Sequence, residues 1–259
     1  MQGRVRHAPK RWAEEQFTGA KFTDIRRVAR VKTIAEARAI HPGRTIPQLC
    51  DSPYAVKATY NLFTHQEATP DTMQAGHRAL VLDAMRQPGV SLLWEDTTEL
   101  SWSGKHSMAG LGPIGTSAAG LQGFCLHTVL SVRWPDAPQD TSKRRPVEVL
   151  GLGDQQYDVR TPCRRPRASS QERLRRARES QVWPQARQHL GHAPQDVQWI
   201  RVADRDADIY AYLVSCQALG HGFVSRAAKD RALSHPESGK RTGRLFTVAR
   251  SAVPLGELT

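Results

Sequence analysis

The sequence predicts an α/β protein in which a small helical unit precedes a mixed sheet of about five strands. Two observations carry that expectation. The first third shows repeated helix-start signals followed by apolar stripes at helical spacing. Beyond it, short apolar runs twice end in an aspartate: Val90–Trp94 leads to Glu95-Asp96, and Val197–Ala203 leads to Asp204. Runs of that length, bounded by turn signals such as Pro88-Gly89, read as buried strands.

Residues 1–10 are basic and are expected to be flexible. Trp12, Phe17 and Phe22 supply apolar anchors around a helix beginning near Arg11. Asp24 suits an N-cap for a helix with the stripe Ile25, Val28, Ala29, Val31, Ile34 and Ala35, which His41-Pro42-Gly43 stops. Arg26, Arg27, Arg30 and Lys32 ride on it. A short element at Thr45–Cys50 leads to Asp51-Ser52-Pro53. The next helix, Tyr54–Phe63, is expected to turn Val56, Tyr60 and Phe63 inward and Lys57 and Asn61 outward. Thr69-Pro70-Asp71 opens a longer helix to about Met85, with Leu80, Val81 and Met85 on its apolar face.

The first acid strand, expected to end at Asp96, gives way to a Gly-, Ser- and Ala-rich loop at Ser103–Gly120. Gly123–Val132 reads as a second strand and Val147–Leu152 as a third, suggesting an antiparallel meander that the Asp204 strand joins later. His127, inside the second strand, reads as a core histidine rather than a ligand. Residues 141–178 are crowded with bases, and Gln171–Leu190 suits a helix interrupted at Pro184. Ile209, Tyr212 and Leu213 form a helical stripe, and Phe223–Arg226 reads as a further short strand. The tail is polar, with one late apolar run at Leu245–Val248.

A net charge of +12 favours a polyanionic partner, nucleic acid before membrane. Cys50, Cys125, Cys163 and Cys216 lie far apart with no C-x-x-C, which argues against a zinc site or a disulfide framework and fits a reducing compartment. No apolar run reaches membrane-spanning length, so a cytoplasmic location is expected. Arg and Lys on the helical unit would contact phosphates without regard to sequence. Two aspartates brought together by neighbouring strands could hold Mg²⁺ or Mn²⁺ through hard oxygen ligands. Taken alone, Asp96 reads more readily as a residue that ends a strand or caps the next element than as a metal ligand.

Trp94-Glu95-Asp96-Thr97-Thr98-Glu99-Leu100 and Val202-Ala203-Asp204-Arg205-Asp206-Ala207-Asp208-Ile209-Tyr210 resemble the first and second acid motifs of the DDE cut-and-paste transposases of bacterial insertion sequences, in particular the transposon Tn-five group. Trp12-Ala13, Asp24, Arg26-Arg27, Arg30 and Ala58–Phe63 are similar to that group's domain for binding transposon ends. The likeness covers roughly residues 11 to 250. It implies an end-binding helical domain at 11–70, an RNase H-like catalytic core at 71–230 and the start of a β-rich insertion at 231–259. It further implies Asp96 and Asp204 as catalytic metal ligands for Mg²⁺ or Mn²⁺. Arg26, Arg27, Arg30, Lys57, Tyr60, Asn61 and Arg226 become contacts to double-stranded DNA, although family members commonly carry Arg where Asn61 stands. The family's third acid, a Glu within a Tyr-Arg…Glu…Lys pattern, has no counterpart in this sequence. The expectation is therefore a truncated transposase with an incomplete core. It would lack the region through which family members dimerise on DNA. The competing expectations are a non-catalytic DNA-binding inhibitor of transposition and, third, a host metal-dependent nuclease.

Overall fold

The computed structural model describes residues 8–102, 109–115, 120–134, 147–160 and 189–253. The expected flexible start at 1–7, most of the 103–120 loop, most of the basic tract at 141–178 with Cys163, and the helix expected over 171–190 apart from its end lie outside the described residues.

The N-terminal unit is helical, as its start signals predict. Helix α1 (Pro9–Phe17) begins on a proline and sets Trp12 and Phe17 edge to face at 5.9 Å. Helix α2 (Ile25–Ile40) starts at Asp24, whose carboxylate accepts from the Arg26 amide at 2.9 Å. It buries Val28, Val31 and Ile34. The one-turn helix α3 (Ile46–Leu49) carries a reciprocal cap between Thr45 and Gln48. Helix α4 (Pro53–Phe63) is capped by Ser52, which accepts from the Ala55 amide at 3.2 Å, and α5 (Pro70–Met85) by Thr69.

The buried faces differ in register from those expected. On α4 the inward residues are Ala55, Thr59 and Leu62, while Tyr60 and Phe63 are 47% and 43% exposed. Ala55, Thr59 and Leu62 lie at i, i+4 and i+7, one face of the helix rotated by one residue from the expected Val56, Tyr60 and Phe63. Likewise Ile25 on α2 and Leu80 on α5 are exposed. Helix α5 turns Val81 and Met85 inward as expected, together with Gly76. Gly76 meets Gly19 so closely that a Cβ on either would fall within 3 Å of the other's Cα. That approach seats α1 against α5.

Beyond α5 the chain enters the sheet. Strand β1 (Gly89–Trp102) pairs antiparallel with β3 (Gln122–Trp134), and β3 pairs antiparallel with β4 (Glu148–Asp158). The two-residue β2 (Gly112–Pro113) adds to the end of β3. Strand β5 (Val197–Ala203) returns parallel to β1, and β6 (Gly222–Ser225) lies parallel to β5. The order is therefore β4-β3-β1-β5-β6, with β3 running against the rest. The meander joined later by the second acid strand is present. Asp96, however, does not end β1, which continues to Trp102 because β3 pairs with it all the way to Gln122. The third strand also runs past Leu152 to Asp158, through register shifts on either side of Gly151.

Helix α5 and helix α6 (Tyr210–Ala218) contribute the cores on the sheet's inner face. Val81 and Met85 pack with Leu93, Val129 and Trp199, and the Trp199 indole donates to the Met85 carbonyl at 3.0 Å. Tyr212 and Cys216 of α6 make a second cluster with Ala207. The hairpin β7 (Ala232–Ser234) and β8 (Arg241–Arg244) precedes α7 (Leu245–Ser251), so the late apolar run is helical rather than extended. No helix of the described residues is long and apolar enough to cross a membrane. Cys50, Cys125 and Cys216 are free thiols.

Candidate functional site

Strand register decides where the two aspartates stand. Along the parallel β1–β5 pair, Leu93 is opposite Arg201, Trp94 opposite Val202 and Glu95 opposite Ala203. Asp96 and Asp204 are each the next residue. Adjacent strands lie about 4.8 Å apart and side chains alternate between faces. Both aspartates therefore start from the same end of neighbouring strands, on the face opposite Glu95. Asp204 keeps an extended backbone, and the Ser225 hydroxyl of β6 donates to its carbonyl at 3.2 Å. Both residues are exposed.

Each carboxylate has one oxygen committed locally. The Thr97 amide donates to Asp96 Oδ1 at 2.9 Å, and the Asp206 amide donates to Asp204 Oδ1 at 2.8 Å. Each Oδ2 has no hydrogen-bond partner among the described residues. Two oriented carboxylates with an oxygen each to spare fit a hard divalent cation, which takes oxygen ligands and fills its other positions with water. Among the described residues no group of three or more His, Cys, Asp or Glu is placed to hold a metal. Asp208, in the turn beyond Asp204, is engaged elsewhere. It pairs with Arg231 at 2.7 Å and accepts from the Ala228 amide at 2.8 Å.

Directly behind the acids, on the inner face, lies a buried polar cluster. Glu95, His127, Arg201, Tyr212 and His221 are each less than 5% exposed. One Glu95 oxygen pairs with the Arg201 guanidinium, and the other lies 3.5 Å from His127 Nε2. His127 Nδ1 meets the Thr97 hydroxyl at 2.9 Å. Arg201 Nε donates to His221 Nδ1 at 3.1 Å, which fixes the imidazole as an acceptor there. Burial, and then the neighbouring Arg201 charge, hold the His221 pKa down to about 4. Burial, with the Glu95 carboxylate next, pushes the Tyr212 phenol far up. His127 is the core histidine that its place in a strand suggests. Arg201 lies two residues beyond Trp199 on β5, so strand alternation carries its charge to the same buried face.

On the far side of Asp204 a cleft of about 440 Å³ is lined by Arg205, Arg226, Arg250, Ala227 and Phe246. The Asp208 contacts to residues 228 and 231 hold the Arg226 segment against the turn after Asp204. The sequence motifs point to Arg226 alone. Arg205 and Arg250 join it only through the path of the hairpin and α7.

The N-terminal candidates divide by partner. Arg26 forks onto Asp24, with contacts of 2.8 to 3.1 Å, and holds that carboxyl down to about 2. Arg27 pairs with Glu67 at 3.0 Å. Arg30 and Lys57 have no acidic partner among the described residues. Lys57, Tyr60 and Asn61 share one exposed face of α4, being three and four residues apart.

The helical unit matches a known family. Residues 9–68 fit the family model for transposase DNA-binding domains, so the chain carries a transposase N-terminal domain with DNA as its partner.

Proposed function

We propose that the chain acts in cut-and-paste DNA transposition as a DDE-type transposase of the Tn-five group, with an RNase H-like core behind its end-binding domain. The observation that carries this is the register of β1 and β5, in which Asp96 and Asp204 are each the residue after the aligned pair Glu95 and Ala203. The match of residues 9–68 supports a DNA substrate, and the mixed sheet with acids on adjacent strands supports the core.

In this reading Lys57, Tyr60 and Asn61 on α4, with Arg26, Arg27 and Arg30 on α2, track the transposon-end duplex. Asp96 and Asp204 would hold Mg²⁺ or Mn²⁺, each carboxylate steadied by the hydrogen bond at its Oδ1. The bound cation would activate water for hydrolytic nicking at the transposon end and then assist strand transfer by the freed 3′-OH. Arg226 and its neighbours face the phosphate backbone beside the acids, where positive charge offsets that of the phosphate under attack.

A complete two-cation site needs a further carboxylate, and none stands beside Asp96 and Asp204 among the described residues. A second reading, in which the chain occupies transposon ends without cutting them, rests on the match of residues 9–68 to a DNA-binding domain. A nicking assay on end-sequence duplex with Mg²⁺ or Mn²⁺ separates the two. Nicking lost in Asp96→Ala and Asp204→Ala supports the transposase. Tight binding without any nicking supports the non-catalytic occupant, and no preference for end sequence contradicts both.

A further inference from the structure

Glu95 and Arg201 form a fully buried ion pair beneath the two aspartates. Such a pair is a poor source of stability, because desolvating two charges offsets most of their attraction. Its placement suggests another use. Apolar alternation along β1 and β5 specifies which face of each strand turns inward. It rejects a slip of one residue, which exchanges the faces, but it does not reject a slip of two. A two-residue slip of β5 along β1 keeps the same residues on the inner face. It also carries Asp204 about 6.6 Å away from Asp96, at roughly 3.3 Å per residue. The ion pair rejects the slip that sets Arg201 opposite Ser91, four residues or about 13 Å from the level of Glu95; in the observed register Arg201 sits opposite Leu93 and reaches diagonally to Glu95. The second Glu95 oxygen faces His127 on β3, so a single carboxylate ties the three central strands. Glu95 and Asp96 are consecutive, so whatever fixes the first along the strand fixes the second.

We propose that Glu95 and Arg201 are positioning residues: their buried pair, with His127, sets the β1–β5 register that holds Asp96 beside Asp204 for one divalent cation. The inference rests on the two-aspartate reading of the proposed function. The full chain is the object of the test. Glu95→Gln removes one charge. The double variant Glu95→Leu/Arg201→Met removes both and restores an apolar interior, which guards against simple unfolding. Two readouts are taken: Mn²⁺ affinity by calorimetry, with Asp96→Ala and Asp204→Ala as controls, and the β1–β5 register from backbone NOEs between residues 93 and 201 and between 95 and 203.

The expected result is a folded double variant whose Mn²⁺ affinity falls about 10- to 100-fold, the range seen when residues supporting metal ligands are lost, and whose registered NOEs are weakened or joined by a shifted set. A purely structural role predicts that a well-folded double variant recovers wild-type affinity. A double variant that keeps both the registered NOEs and wild-type affinity overturns the proposal. Wild-type protein without Asp96-dependent Mn²⁺ binding overturns the two-aspartate reading instead, and the NOEs then judge the register role by themselves.

Discussion

The salt dependence of DNA binding should differ between cations that look alike in the sequence. Lys57 is exposed on α4 with no acidic partner among the described residues, whereas Arg27 is half-buried and already paired with Glu67 at 3.0 Å. A side chain that neutralises a phosphate contributes about 0.9 to the slope of log K against log salt. Lys57→Ala should therefore lower the slope magnitude by about 0.9. At 0.1 M salt, a decade below 1 M, that is about eightfold weaker binding. Between 50 and 200 mM, a fourfold change, the variant should lose about 3.5-fold less affinity than wild type. Arg27→Ala should change the slope much less, because Glu67 must be displaced before the guanidinium can serve a phosphate. Fluorescence anisotropy on a labelled end-sequence duplex, titrated at several salt concentrations, measures both slopes. Equal slope changes for the two variants would refute the reasoning, as would a Lys57→Ala slope identical to wild type.

Leu93→Ala opens a cavity at the centre of the inner-face core, where Leu93 is fully buried against Met85, Val129 and Trp199, and should cost about 2–5 kcal/mol by urea denaturation. A loss below about 1 kcal/mol would mean that this core is not formed as described. His221 gives a pH dependence of definite sign. Its folded pKa, near 4, lies below the ordinary 6.5. The unfolded chain therefore binds more protons below pH 6.5, and the contribution is fully present above that value. It is lost as pH falls towards 4, by about 2 kcal/mol between pH 7 and pH 5. Urea midpoints at the two pH values check this, and His221→Gln should flatten the difference; a variant as acid-sensitive as wild type contradicts it.

Much of the architecture was legible because local chemistry agreed with it. Asp24, Ser52 and Thr69 stand just ahead of their helices as caps, and Pro53 and Pro70 occupy first-turn positions that need no amide. The meander and the late return of the Asp204 strand followed from the spacing of apolar runs. What hydropathy misjudged was orientation. Tyr60 and Phe63 are apolar by composition, yet α4 packs on Ala55, Thr59 and Leu62, a face at the same i, i+4, i+7 spacing shifted by one residue, so apolar periodicity did not decide between the two. The same limit hid the polar cluster. Glu95 read as one of several acids following an apolar run and Arg201 drew no assignment, and no one-dimensional signal says that the two meet across β1 and β5. Their pairing depends on a register that only the parallel contact defines. Arg205 and Arg250 were similarly invisible as companions of Arg226, since Arg250 lies 24 positions after Arg226 in the chain.

The proposed chemistry turns on Asp96 and Asp204 sharing one divalent cation. Iron-mediated affinity cleavage reads that sharing from the backbone itself: Fe²⁺ replaces Mg²⁺, and peroxide then cuts the chain close to the bound ion. A shared ion predicts cuts near both residue 96 and residue 204, suppressed together by excess Mg²⁺ and lost together in either Asp→Ala variant. Cutting near one residue that survives loss of the other would contradict it.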